Sequence, residues 1–281
     1  MTSRRDFTKA LGAVTMAYAF PSLVPSPESR APHKLNRVGL QLYTVRDEMK
    51  KDVEGTIARV AASGYNEVEF AGYFGKSPAD VRAMLDRHGL TAPSTHIGSI
   101  EPDAWHQALD AAHVIGHHYV VVPWIPVERR TGLDGYKKIA AEFNKAAEQA
   151  HAAGLQFAYH NHDFEFAPVD GKLPYDVLLT ETDPNLVQLE MDLYWITKGG
   201  QDPLAYFARW PGRFPMVHVK DSMGPPDNKM ADVGAGKIDW KRIFAREDQA
   251  GIKHFFVEHD QPADPFASIR ASCEYLRKLE F

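Results

Sequence analysis

The chain has 281 residues, 44% of them hydrophobic and 25% charged, with a formal net charge of −5. That is the composition of a folded protein with a large core, and it excludes a collagen-like, low-complexity or wholly disordered chain. The acidic balance and the lack of a basic face exclude nucleic acid as the main partner.

The chain opens on Ser3-Arg-Arg-Asp-Phe-Thr-Lys9, followed by the uncharged run from Ala10 to Phe20. Paired arginines before a modest apolar stretch resemble a twin-arginine (Tat) export signal, and Ala17-Tyr-Ala19 offers an A-x-A cleavage site. The run is too short to span a membrane. Residues 1–19 are expected to be removed on export to the periplasm or cell exterior, with no stable membrane insertion afterwards. Residues 20–36, rich in Pro and Ser, read as a flexible linker, and 37–281 as the folded domain.

From Arg37 onward, short apolar runs alternate with amphipathic stretches. Strands are expected at Val38–Tyr43, Glu67–Phe70, Ala92–His96, Tyr119–Pro123, Gln156–His160, Val187–Met191, Met216–Val219 and His254–Glu258. Each is short and apolar, as parallel strands buried on both faces are. Helices are expected between them at Val53–Ala62, Pro78–His88, Asp103–Ile115, Tyr136–Ala153, Tyr175–Thr182, Pro203–Trp210, Trp240–Glu247 and Pro265–Lys278. Several stop at a glycine, as at Gly64, Gly89 and Gly154, where the chain can adopt the left-handed conformation that turns it into the next strand. Eight such cycles give an α/β fold, a single (β/α)8 TIM barrel. A doubly wound sheet would usually carry a G-x-G-x-x-G loop after its first strand, where this chain has Gln41-Leu-Tyr-Thr-Val-Arg46. The longest irregular stretch, Ser222 to Asp239, is expected over the barrel mouth. The single Cys273 can form no internal disulfide.

Four strand-like runs discharge acids and histidines at their C-terminal ends, where barrel strands converge on one face. Glu165, Asp192, His218 and Glu258 are the candidate metal ligands. Three carboxylates and one imidazole suit one divalent ion, Mn²⁺ before Mg²⁺, Co²⁺ or Zn²⁺. Glu165 lies beyond its strand, and His160 and His162, which share a side by strand alternation, compete with it. A solvated loop acid is the plain alternative for Glu165, and a core histidine paired with an acid is the plain alternative for His218. Glu190, two residues before Asp192, is expected one layer deeper. His96, Glu69, His160, His162, Trp195 and Lys220 are candidate substrate contacts. Trp124 and Trp195 could stack on a sugar ring or simply pack the rim. Lys220 and Asp221 could pair with each other or bind hydroxyls, and Tyr43 and Arg46 could serve an anionic or hydroxylated ligand.

The segments Gly39-Leu-Gln-Leu-Tyr-Thr-Val-Arg46, Tyr159-His-Asn-His-Asp-Phe-Glu-Phe166, Glu190-Met-Asp-Leu-Tyr-Trp195, His218-Val-Lys-Asp221, Gly234-Ala-Gly-Lys-Ile-Asp-Trp240 and Val257-Glu258 resemble the sugar phosphate isomerase/epimerase group of xylose-isomerase-like TIM barrels. The resemblance covers about residues 37–280. It implies one divalent metal held by Glu, Asp, His and Glu from strands five to eight. Asp192, His218 and Glu258 match the last three. At the first position Tyr159-His160 stands where related epimerases place a Glu, which leaves Glu165, His160 or His162 for that role. The implied chemistry is proton transfer beside a carbonyl, with Glu258 or Glu165 as the base. The leading expectation is therefore a metal-dependent sugar or keto-sugar isomerase or epimerase. The alternatives are a 3-keto-glycoside lyase or hydrolase that eliminates an aglycone, a non-catalytic sugar-binding barrel, and a nuclease of the AP-endonuclease branch, which the acidic balance disfavours. The partner expected is a small carbohydrate, and homo-oligomer formation is left open.

Overall fold

The structure, a computed structural model, describes residues 32–281. The export segment and most of the linker expected before the domain lie outside the described residues. Residues His33–Phe281 form one compact unit. Eight parallel strands close into a barrel: β1 Gly39–Gln41, β2 Glu67–Phe70, β3 Thr91–His96, β4 Tyr119–Val122, β5 Gln156–His160, β6 Val187–Asp192, β7 Met216–Val219 and β8 His254–Val257. Strand β1 pairs with both β2 and β8, which closes the ring.

Local sequence sets the helix ends. Helix Pro78–His88 starts on Ser77, whose hydroxyl accepts from the Asp80 N–H, and stops at Gly89 with φ 65°. The last stretch of the expected linker packs on the barrel. His33 and Phe281 exchange backbone hydrogen bonds of 3.1 and 3.2 Å, and the His33 ring meets Glu247 at 2.7 Å.

A small core of Tyr119, Val121, Ala158, Met216 and Phe256 fills the barrel, while the larger apolar layer packs strands against helices. Gly39 carries no side chain because the Phe256 ring occupies the space a Cβ would need. Side chains alternate along each strand, so His160, two residues past Ala158, and His218, two past Met216, enter the barrel above that core. Their rings lie 4.4 Å apart.

Several elements differ from the sequence expectation. Strand β1 ends at Gln41, and the chain turns through a 3-10 segment, Leu42–Val45, into a helix, Arg46–Lys51. A six-residue helix, Leu193–Lys198, follows β6 directly. The helix expected over Trp240–Glu247 divides into Trp240–Phe244 and Glu247–Ala250.

Asp221 does not pair with Lys220. Its buried carboxylate accepts from the backbone N–H groups of Ser222, Gly234, Gly236 and Ile238 and from the Trp240 indole, at 2.8–3.2 Å. A Cβ on Gly236 would collide with it. One carboxylate thus ties down the long loop after β7.

Candidate active site

The C-terminal ends of β2, β3 and β5–β8 bring two layers of ionisable side chains together. In the inner layer, Glu190 Oε2 lies 2.8 Å from His96 Nε2, 3.1 Å from His160 Nδ1 and 3.1 Å from His218 Nε2. Glu69 Oε2 lies 2.7 Å from His218 Nε2 and 3.2 Å from His96 Nε2. Gln41 and Ser94 donate to the two Glu69 oxygens. Both carboxylates are fully buried.

In the outer layer, His218 Nδ1 lies 2.7 Å from Glu258 Oε2 and 3.9 Å from Asp192 Oδ2, and His160 Nε2 lies 3.7 Å from Asp192 Oδ2. Asp192 Oδ1 accepts from the N–H groups of Tyr194 and Trp195 and so caps the short helix. Its Oδ2 is buried with no hydrogen bond, although Lys220 Nζ stands 3.0 Å away outside hydrogen-bonding geometry. Lys220 Nζ also meets Glu258 Oε2 at 2.7 Å and Asp260 Oδ1 at 3.0 Å.

These contacts set the protonation states. Burial alone would strip His96 of its proton, but Glu69 and Glu190 outweigh it and raise the ring to about 9. Burial would likewise neutralise Lys220, but Asp192, Glu258 and Asp260 keep it charged. Glu258 is held well below the usual carboxylate range because Lys220 and His218 outweigh its burial. Burial lifts Asp192 to about 6 against the pull of Lys220 and His218. His160 and His162 are neutral, first through burial; His162 is lowered to about 3.

A divalent ion fits the outer layer. Asp192, His218 and Glu258 each offer one ligand atom, all within 4.8 Å of one another. The orphaned Asp192 Oδ2 is such a donor, and His160 Nε2, 3.7 Å from it, stands just outside that three-residue group as the nearest further nitrogen. Two imidazoles and two carboxylates suit Mn²⁺, Co²⁺ or Zn²⁺. His218 and His160 each turn one nitrogen to this layer and the other to Glu190, the arrangement by which a second carboxylate fixes the tautomer of a metal-binding imidazole. The inner group of His96, His160, Glu190 and His218 is also compact. Its facing atoms are matched in acid–base pairs, as Glu258 is with His218 and Lys220, and Glu190 Oε1 is as orphaned as Asp192 Oδ2; what sets the outer group apart is that its Glu258 lines the cavity.

The sequence-based candidates divide accordingly. Asp192, His218 and Glu258 converge. Glu165 stands apart from both groups. Its carboxylate accepts from the Tyr159 hydroxyl and the His162 N–H. Tyr159 packs on Phe143 in the helix layer, outside the barrel. The chain turns outward through Phe164–Phe166 and takes Glu165 with it. Glu69 is not open to a substrate but buried beneath His96 and His218. Trp195 packs against His162, with Lys198 4.4 Å over its ring. His96, His160, His162, Lys220 and Glu258 line a cavity of about 490 Å³ above the two layers. Gln41 and Ser94, which position Glu69, escaped notice because polar residues inside strands carry no local mark of a partner 25 or more residues away.

Glu165 has a measurable consequence. Burial raises it from an ordinary 4.5 to about 7, against the hydrogen bond from Tyr159. A carboxyl raised on folding contributes its full stability below the unfolded value and loses it as pH climbs through the folded one. Stability should therefore fall by about 3 kcal/mol between pH 4.5 and 7 on account of this group. Urea midpoints of wild type and Glu165→Gln across that range check it: the variant should lose about that much of the fall and keep the part that Asp192 contributes.

A family model described as "Xylose isomerase-like TIM barrel" matches residues 57–279. The chain belongs to the xylose isomerase-like TIM barrel family. Among the relatives of this family member is an inosose dehydratase of Lacticaseibacillus casei, 23% identical over 82% of this chain and 91% of its own. Another is an inosose dehydratase of Geobacillus kaustophilus, 27% identical over 79% of this chain and 86% of its own. The crystal structure of a sugar phosphate isomerase/epimerase from Parabacteroides distasonis superposes with a TM-score of 0.77 at 27% identity, covering 90% of this chain and 96% of that one. These relatives are sugar-processing enzymes. Among the described residues no helix is long and apolar enough to cross a membrane.

Proposed function

We propose that the protein is a divalent-metal-dependent enzyme that takes a proton from the carbon beside a ketone in a sugar or cyclitol and expels the oxygen substituent one carbon further on. His160, Asp192, His218 and Glu258 would hold the ion, Mn²⁺ by preference. A bound divalent ion supplies Lewis acidity toward a carbonyl oxygen.

The observation that carries elimination over epimerisation is the 2.7 Å contact between Glu258 and Lys220 on one wall of the cavity. Glu258, kept ionised, accepts the carbon-bound proton. The C–H electron pair forms a C=C bond conjugated to the ketone. The C–O bond on the next carbon breaks with its pair, and Lys220 protonates the departing oxygen. Acceptor and donor stand side by side, so both events fall on one face of the ring. An epimerase needs its donor on the opposite face from its base.

Similarity to dehydratases over about four-fifths of the chain supports the same reading. Similarity to an isomerase/epimerase favours the second reading, in which the protonated His96 in the cavity lining returns the proton. The metal-loaded enzyme is incubated in D₂O with a 3-keto-glucoside and with a keto-cyclitol. An unsaturated ketone and a released alcohol or water support elimination. A recovered, deuterated epimer without release overturns it in favour of epimerisation. Export is part of the proposal: Arg4→Lys with Arg5→Lys should retain the protein in the cytoplasm, read by cell fractionation.

A further inference from the structure

Among the described residues five large hydrophobic side chains are exposed, and the two aromatic ones, Tyr43 and Trp124, both line the cavity above the ionisable layers. They are 43% and 45% exposed. Each is backed by a guanidinium: Arg46 lies 4.1 Å over the Tyr43 ring and Arg130 lies 4.3 Å over the Trp124 ring. Neither arginine hangs free. Arg46 donates to the Tyr43 carbonyl at 2.8 Å, and Arg130 donates to the Ile125 carbonyl at 2.8 Å while stacking 3.3 Å over Phe164. Trp124 also meets His162 and Phe164 edge-on, at 4.7 and 5.0 Å. With one ring face covered by a fixed cation, each aromatic is held in place with its other side open. Two half-exposed aromatics that line the same cavity, each backed by a fixed cation, point to a ligand surface.

We infer that the cavity carries a second subsite at its rim, formed by Trp124 and Tyr43, which receives the planar or apolar face of a second ring. The substrate is then a glycoside whose ketone-bearing ring lies on the ionisable floor and whose departing ring lies on the aromatic rim. This rests on the elimination reading only for what happens to the departing ring; occupancy of the rim does not depend on it. The cavity, about 490 Å³, is in the size range that encloses a drug-sized, two-ring ligand. Aromatic faces bind the apolar face of a pyranose or the face of an aryl group, and a platform already fixed loses little side-chain freedom on binding.

Binding tests this without turnover. Calorimetry measures the dissociation constants of 4-nitrophenyl β-glucoside and methyl β-glucoside for the metal-loaded wild type, Trp124→Ala, Trp124→Phe and Tyr43→Ala, each checked for an unchanged melting temperature. The two-ring ligand should bind wild type at least about tenfold more tightly than the one-ring ligand. Trp124→Ala and Tyr43→Ala should shrink that advantage, and Trp124→Phe should keep most of it. Equal affinities in wild type, no detectable binding of the aryl glucoside, or an advantage that survives Trp124→Ala would overturn the rim subsite. If the preference is present but the 3-keto forms of both glucosides release no product, the elimination reading fails and the subsite stands. If both keto forms react with equal kcat/KM and equal affinity, the subsite fails and elimination stands.

Discussion

Lys220→Met should cut release of the leaving group by two to four orders of magnitude, the usual weight of one positioned general acid, while exchange of the carbon-bound proton with D₂O continues. The separation follows from which group Lys220 serves. In the proposed elimination Glu258 takes the proton from carbon, and Lys220 gives one to oxygen. Without the ammonium the carbanion forms, waits and is reprotonated. Lys220→Arg should not restore release, because the planar guanidinium cannot fit the point where Asp192, Glu258 and Asp260 close on Nζ at 2.7–3.0 Å. A second effect should accompany the first. Lys220 is the cation that shields those carboxylates, so its removal should tighten binding of the divalent ion. Parallel measurements of exchange by NMR, product by absorbance and metal affinity by titration check all three effects; exchange and release falling together would contradict the division of roles.

His218→Ala should be the most damaging single change. The fully buried ring stands between the two layers, 2.7 Å from both Glu258 and Glu69 and 3.1 Å from Glu190. Three carboxylates would face one another with their shared partner gone. Removing one member of a buried charge group leaves the others uncompensated, at about 3–5 kcal/mol. The folded protein with chelator present should accordingly melt well below wild type. Its activity should be lost even at saturating metal, since the imidazole is also one of the proposed ligands. His218→Gln, which keeps bulk and a polar head but cannot carry charge, should recover part of the stability and none of the activity. Differential scanning calorimetry with and without metal reads the first, and product formation reads the second.

The barrel was readable because each β–α cycle carries its own punctuation. Short apolar runs mark strands buried on both faces, and glycines such as Gly89 mark where helices must stop. The acids and imidazole of Asp192, His218 and Glu258 stood out because each closes or interrupts an apolar run, where a polar group needs a partner. Glu165 lies apart from the other candidates for a geometric reason. Alternation holds only while the chain is extended, and after His162 it turns outward, so a carboxylate three residues further on faces the helix layer. His160, still on the strand, keeps the inward direction. The helix Leu193–Lys198 was invisible because six residues are too few to show a 3.6-residue period and its start depends on one side chain, Asp192. Glu69 looked like a substrate contact because sequence places it on an inward face but gives no depth along the barrel.

Metal affinity of Asp192→Ala, Glu190→Gln and Glu165→Gln beside wild type, by Mn²⁺ titration with the fold checked by circular dichroism, separates the outer layer from the inner layer and from the loop acid. One equivalent in wild type, lost in Asp192→Ala, weakened about 10–100-fold in Glu190→Gln and unchanged in Glu165→Gln, is the expected result. Full occupancy in Asp192→Ala, or loss in Glu165→Gln with Asp192→Ala unaffected, would contradict a metal centre on His160, Asp192, His218 and Glu258.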